Sequence, residues 1–287
     1  MLKTQKLFKD FHKKNQLDII SLTQSFIEHD FFVDFPELKN VVAVLITGSV
    51  AGGFYDENSD IDLNIIFPDQ KTWKKYKFTV LSKFKGEYLE AIRKPIEVHG
   101  QNITYIQKIE SDLGSWKHDW ALRELADAVI VRDPKQRIEK LKEKFAWYPK
   151  DVFHEKINWL FGESSFLLFD RYKVNMSRGC LFFAELTKLQ IIRLLVASLA
   201  LAHRQYPKSD KHLCMDVGKI KEYAQIMKTV EKILLAKNPK IVFGLLSEFR
   251  NAVQKVLTGK KLIKKAGEKY WISMRTRHMV EISTEEE

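Results

Sequence analysis

The sequence predicts an α+β chain, with strands and flanking helices in its first half and helices alone in its second. Three observations predict it. A strand–turn–strand pattern, VVAVLITGSVAGGFYDENSDIDLNIIF, runs over residues 41–67. Shorter β-branched runs follow near residues 96–106 and 128–131. Beyond Pro149 no strand pattern appears, while apolar residues recur at helical spacing.

Residues 2–30 alternate apolar and charged side chains at helical spacing (Leu2, Phe8, Phe11, Leu17, Ile20, Ile27), which predicts one or two helices packed on a sheet; Pro36 breaks them. Residues 41–46 are apolar and β-branched, as in an internal strand. Gly48 and Ser49 end it, Gly52 and Gly53 stop a long helix from following, and Asp56 to Ser59 carry turn chemistry. From residue 60 the period is two: Ile61, Leu63, Ile65 and Phe67 point one way, and Asp60, Asp62 and Asn64 the other. Asp60 and Asp62 thus share a face, roughly 7 Å apart by the strand rise. Two carboxylates so placed repel each other, and a hard divalent cation such as Mg²⁺, shared with phosphate oxygens, relieves that repulsion.

Pro68-Asp69 reads as a turn, residues 71–93 as a helix ended by Pro95, and residues 96–106 as a strand on which Glu97 and His99 share a face. A helix is predicted over 116–127, a last strand over 128–131 ended by Asp133-Pro134, and a charged helix over 135–145. The domain boundary is placed at Tyr148-Pro149, giving domains 1–148 and 149–287. In the second domain helices are predicted over 151–169, 171–206, 214–233 and 238–258, with Leu181, Leu186, Leu189, Ile192, Leu195 and Leu199 on the buried side of the second. The Lys-rich segment 260–269 is predicted to be exposed, with Tyr270-Trp271-Ile272 docking back, and the tail to be frayed.

Strand, Gly48-Ser49, a loop of about ten residues, and the strand opening Ser59-Asp60-Ile61-Asp62-Leu63 together resemble the signature of the polymerase-beta-type nucleotidyltransferase superfamily. The resemblance implies a small mixed-sheet catalytic domain with flanking helices. The Gly-Ser turn would open a helix whose amides hold a triphosphate, a role that free N–H groups at a helix start suit physically. Gly48 lets a phosphate approach the backbone, and the Ser49 and Ser59 hydroxyls are further candidate nucleotide-binding groups. The resemblance makes Asp60 and Asp62 ligands for two Mg²⁺ ions. It places a third carboxylate at Glu97, as metal ligand or as general base, in an Ile96-Glu97-Val98 context like that of aminoglycoside nucleotidyltransferases. The plan of an α/β domain followed by a helical bundle is similar to the same small-molecule enzymes, in which the bundle forms one wall of the cleft. Arg171, Arg178 and Lys211 are cationic positions near helix ends there, and Lys211 can meet the β/γ-phosphates as a point charge.

The function so implied is Mg²⁺-dependent transfer of a nucleoside monophosphate, with ATP as the expected donor, onto a hydroxyl of a small molecule. Transfer to RNA or to a protein side chain, and silent nucleotide binding, are the alternatives. The formal charge of +11 suits polyanionic partners, but the lysines read as a solvated surface and no basic stripe interleaved with aromatics stands out, so nucleic acid is the less favoured acceptor. Cys180 and Cys214 lie in no paired motif and read as free thiols in a reducing compartment. The first residues carry no signal-peptide core, and the longest apolar run, 191–202, contains Arg193 and is too short to span a bilayer. A cytoplasmic protein is expected.

Overall fold

The computed structural model describes residues 19–56, 59–84, 87–89, 94–98, 102–116, 118–208 and 210–264. The chain divides into two compact units, Met1–Trp147 and Tyr148–Glu287. The first is α+β, the second all helical among the described residues.

The first unit opens with a helical run over residues 19–34 (α1), which widens into a π turn at Ile27–Phe31. Its apolar stripe buries Phe26 and Phe31 against Phe84, with ring centroids 6.1 and 5.3 Å away. Then come β1 (Ala43–Ile46), the one-turn helix α2 (Gly48–Ala51), β2 (Ile61–Phe67), α3 (Gln70–Lys83), β3 (Tyr88–Leu89), β4 (Lys94–Glu97) and β5 (Ile103–Tyr105). Helices α4 (Ile106–Gly114) and α5 (Asp119–Asp127), strand β6 (Val129–Arg132) and helix α6 (Arg137–Lys144) complete it. The strands form one mixed sheet in the order β3-β4-β2-β1-β6, with β5 also paired to β2. β2 is its centre. β1 lies antiparallel on one side, with Ile46 opposite Leu63; β4 and β5 lie parallel on the other, β4 beside the start of β2 and β5 beside its end. The predicted alternation holds: Ile61, Leu63, Ile65 and Phe67 are fully buried, whereas Asp62 and Asn64 are partly exposed.

Three sequence expectations change here. The helix predicted over 71–93 stops at Lys83, and Tyr88 and Leu89 pair instead with Pro95 and Lys94. A glycine at position 86 weakens helix continuation, and Pro95, read as a helix stop, sits inside a strand. The strand read over 96–106 is two strands, β4 and β5. Both find room because β2 is long enough to be paired by each in turn.

In the second unit, α7 (Lys150–Phe166) runs through a π turn (Leu167–Tyr172) into a last helical piece, Lys173–Ser177. α8 (Leu181–Ala202), α9 (Asp210–Lys219), α10 (Ala224–Leu235) and α11 (Pro239–Gly259) follow. The helix predicted over 171–206 is broken at Gly179, which takes φ +69°. The helix predicted over 214–233 is two, separated by a 3₁₀ turn at Lys221–Tyr223. Ile192, Leu195 and Leu199 are buried as expected, but Leu181, Leu186 and Leu189 are 60, 44 and 49 % exposed. The first three turns of α8 are apolar on more faces than the bundle covers, so periodicity alone chose the wrong ones. Lys260 and Lys261 are exposed as expected, Ile263 is buried, and Tyr270-Trp271-Ile272 lie outside the described residues. No described helix is long and apolar enough to cross a membrane.

Candidate active site

The site is built by the turn from β1 to α2 and the start of β2. β1 is buried along its whole length and delivers Thr47, itself 1 % exposed, to the sheet edge. There the Thr47 N–H donates to the Asp62 carbonyl at 2.9 Å, which locks the turn to β2. Gly48 then takes φ +64°, a left-handed conformation that disfavours a side chain. It is also pressed against the acid: a Cβ at Gly48 would lie 1.8 Å from Asp62 Oδ2. Glycine is therefore required twice over, for its backbone and for the carboxylate it admits. The N–H groups of Gly48 and Ser49 lie in the first turn of α2 and, as at any helix start, have no intrahelical acceptor.

The polar atoms around this turn are unusual. Ser49 Oγ and Asn64 Oδ1 are buried without a hydrogen-bond partner among the described residues. Thr47 Oγ1 is buried without a well-formed bond, although it interacts with the Glu124 carboxyl. Buried polar groups are nearly always satisfied, and an unsatisfied one costs about 1–3 kcal/mol, so such a group needs an explanation. Ser59, by contrast, is engaged: its hydroxyl donates to Asp56 Oδ1 (3.1 Å) and accepts from the Asp56 N–H (2.9 Å). It shapes the loop ahead of the acids.

Asp60 and Asp62 flank Ile61 at the start of β2, and Glu97 is the direct register partner of Asp62 on β4. Three acidic positions from two adjacent strands and the Gly48 turn are thus brought to one end of the sheet. Among the described residues no group of three or more His, Cys, Asp and Glu side chains is placed to hold a metal, and the Glu97 side chain is outside that description. The hard oxygen donors of Asp60 and Asp62 suit Mg²⁺, and the orphaned Ser49 hydroxyl beside them suits a phosphate. His99 lies outside the described residues. Lys211 is on α9, described only in its backbone, and Arg178 is an exposed residue before Gly179; both belong to the second unit.

Sequence reasoning missed Glu124. It sits on α5, in the run Asp119–Asp127, with Leu122 and Leu125 buried on either side of it. Burial pushes its carboxyl above the usual carboxylate range; the Thr47 hydroxyl works against that shift and the Asp62 carboxylate adds to it. Its only sequence signal was an acid between the two buried leucines of an amphipathic helix, which any surface helix can show.

Residues 31–166 match the family described as the nucleotidyltransferase domain. No curated protein matches the chain. Among solved structures, a nucleotidyltransferase-like protein from Exiguobacterium sibiricum 255-15 is similar over 84 % of this chain and 78 % of its own, at 13 % identity and a TM-score of 0.46. The family match runs from the end of α1 to the end of α7 and contains the Gly48 turn, Asp60, Asp62, Glu97 and Glu124. Residues 31–166 are thus a nucleotidyltransferase domain of the polymerase-beta-type superfamily, and the chain carries that domain.

Proposed function

We propose that the enzyme transfers a nucleoside monophosphate, with ATP as the first donor to test, from a triphosphate onto a hydroxyl of a small molecule. The observation that carries this reading is the fit of Gly48 against the Asp62 carboxylate, next to Ser49, whose hydroxyl is buried without a hydrogen-bond partner among the described residues. A fold keeps such an atom where a ligand completes it.

In this reading catalysis belongs to the domain 1–148, and the helical domain 149–287 follows it. The acceptor oxygen attacks the α-phosphorus, the bond from that phosphorus to the oxygen bridging the β-phosphate breaks, and pyrophosphate leaves. Gly48 and Ser49 hold the terminal phosphates through backbone N–H groups and the Ser49 hydroxyl. Ser59 fixes the loop ahead of the acids. Asp60, Asp62 and Glu97 would hold two Mg²⁺ ions, and the chemistry these would supply is neutralisation of charge on the attacking and leaving oxygens. Glu97 either completes that set or accepts the hydroxyl proton. Glu124 orients Thr47 and so the turn. Catalysis is then mostly positioning and electrostatics. The thiols of Cys180 and Cys214 suit a reducing cytoplasm.

The test is transfer of labelled α-phosphoryl from each of the four NTPs to a panel of hydroxyl-bearing small molecules, with pyrophosphate measured in parallel. Equimolar product and pyrophosphate, both absent in Asp62→Asn, are expected. If no NTP yields pyrophosphate with any acceptor, the reading fails.

A further inference from the structure

Helix α3 differs in charge from every other described helix. Over Gln70–Lys83 it carries Lys71, Lys74, Lys75, Lys77 and Lys83 and no acidic residue. The others of eight residues or more each carry at least one Asp or Glu. Its apolar side is consumed by the fold: Val80 is fully buried, and the Trp73 indole donates to the Ile103 carbonyl at 2.8 Å. What remains outside is Lys71, Lys74, Lys75 and Phe78, the i, i+3, i+4, i+7 positions of one face, with Phe78 74 % exposed. Lys77 flanks them, its ammonium 4.6 Å from the Trp73 ring centroid and 5.4 Å from that of Phe78. Among the described residues no carboxylate forms an ion pair with Lys71, Lys74, Lys75 or Lys77; Lys75 interacts with the Tyr76 hydroxyl and ring, its ammonium 4.5 Å from the ring centroid, and feels a longer-range attraction from Glu37. In the sequence Trp73 and Tyr76 alternate with these lysines and hide the stripe; in the fold both are half-buried against the core, and the lysines with Phe78 form the outermost face.

We propose that this outer face of α3 is a docking stripe for single-stranded nucleic acid, with Lys71, Lys74 and Lys75 on phosphates and Phe78 beneath a base. A cationic track with an exposed ring is the minimal apparatus of sequence-tolerant single-strand binding. The alternatives fit less well. A membrane surface needs an apolar face to insert, and α3 exposes one apolar side chain. A stable protein interface needs about 800 Å² per partner around an apolar centre, which a lysine stripe with one phenylalanine does not supply. The proposal goes beyond the transferase reading and does not depend on it; if it holds, it moves the acceptor class toward RNA.

The experiment is fluorescence anisotropy of a labelled 20-nucleotide oligouridylate with the full chain, without NTP, between 50 and 200 mM salt. The triple variant Lys71→Ala/Lys74→Ala/Lys75→Ala is expected to lose at least tenfold in affinity at the lowest salt and to flatten the log–log salt slope by about 2, at about 0.7 per phosphate contact. Phe78→Ala is expected to weaken binding about fivefold or more. The charge-matched control Lys228→Ala/Lys232→Ala/Lys237→Ala removes three exposed lysines of the second unit and should change little. Unaltered thermal melting shows that each variant is folded. Equal losses in the two triple variants, full affinity in Phe78→Ala, or no wild-type binding at 50 mM salt would each overturn the proposal. So would binding to anionic phosphatidylserine vesicles, lost in the α3 variant, without oligonucleotide binding.

Discussion

The helical unit and the turn before α2 treat buried hydroxyls in opposite ways. In the helical unit they turn inward to the backbone: Ser164 and Ser165 donate to the Phe161 carbonyl, Thr187 to Phe183 and Ser198 to Leu194. Tyr223, whose hydroxyl faces the Lys260 ammonium, departs from this pattern. In the α/β unit the hydroxyls of Thr47 and Ser49 are buried at a turn where no helix offers a spare carbonyl. An unsatisfied group is tolerated where a ligand can complete it. The contrast teaches where chemistry sits: the helical unit returns these serine and threonine hydroxyls to its own carbonyls, whereas the turn before α2 holds two in reserve.

The sharpest way to break that contrast is at the acids. Asp62→Asn and Asp60→Asn remove charge but little volume, and each should lower transfer by the order of a thousandfold while thermal melting stays within a few degrees. Near-normal turnover in either would show that the reserved atoms serve something else.

Next in size are two glycines. Both adopt left-handed backbone, Gly48 at φ +64° and Gly179 at φ +69°. A methyl at Gly179 meets nothing within 4 Å, whereas one at Gly48 meets Asp62 Oδ2 at 1.8 Å. Gly179→Ala should therefore cost only the backbone strain, about 1–2 kcal/mol of stability, with transfer unchanged. Gly48→Ala should cost at least as much and also displace the carboxylate, lowering transfer about a hundredfold. Equal kinetic effects in the two variants would remove the argument from geometry at Gly48.

That pair also shows what a sequence can carry. The central strand, its alternation and the Gly48–Ser49 turn were legible because each rests on local chemistry: β-branching, a period of two, a residue without Cβ. The break at Gly179 was missed because a lone glycine inside a long apolar pattern looks tolerable until its φ is known. The splitting of residues 96–106 depended on how long β2 is and on which strands share it, a non-local fact. Glu124 was invisible for the same reason, since its meaning comes from Thr47 and Asp62, far away in sequence.

Glu124 sharpens the comparison at intermediate size. Its carboxyl is raised above the ordinary range mainly by burial. The folded state thus holds its proton to higher pH than the unfolded state does. Stability on this account is complete at pH below the unfolded value and falls as pH rises from there to the folded value. Glu124→Gln cannot ionise, so it should melt higher than the wild type at pH 8, with the gap closing toward pH 4. In transfer assays Glu124→Ala should fall about tenfold through loss of contact with Thr47, while Glu124→Gln stays close to wild type. A Gln variant as impaired as Ala would mean that a charged carboxylate, not a positioning contact, is required.

The smallest effect belongs to the second unit. Asn238 caps α11: its side chain accepts from the Lys240 and Ile241 N–H groups at 3.0 and 3.4 Å, ahead of Pro239 at the first helical position. Removing such a cap costs about 1 kcal/mol, which lowers a melting midpoint by roughly 3–5 °C in a unit of this size. Asn238→Ala should show that shift in a thermal melt and leave transfer rates untouched, because the atoms it satisfies belong to the helix alone. If transfer falls in step with Asn238→Ala at a temperature where the variant is fully folded, then polar groups of the helical unit are tied to the chemistry as well, and the division of labour between the two units does not hold.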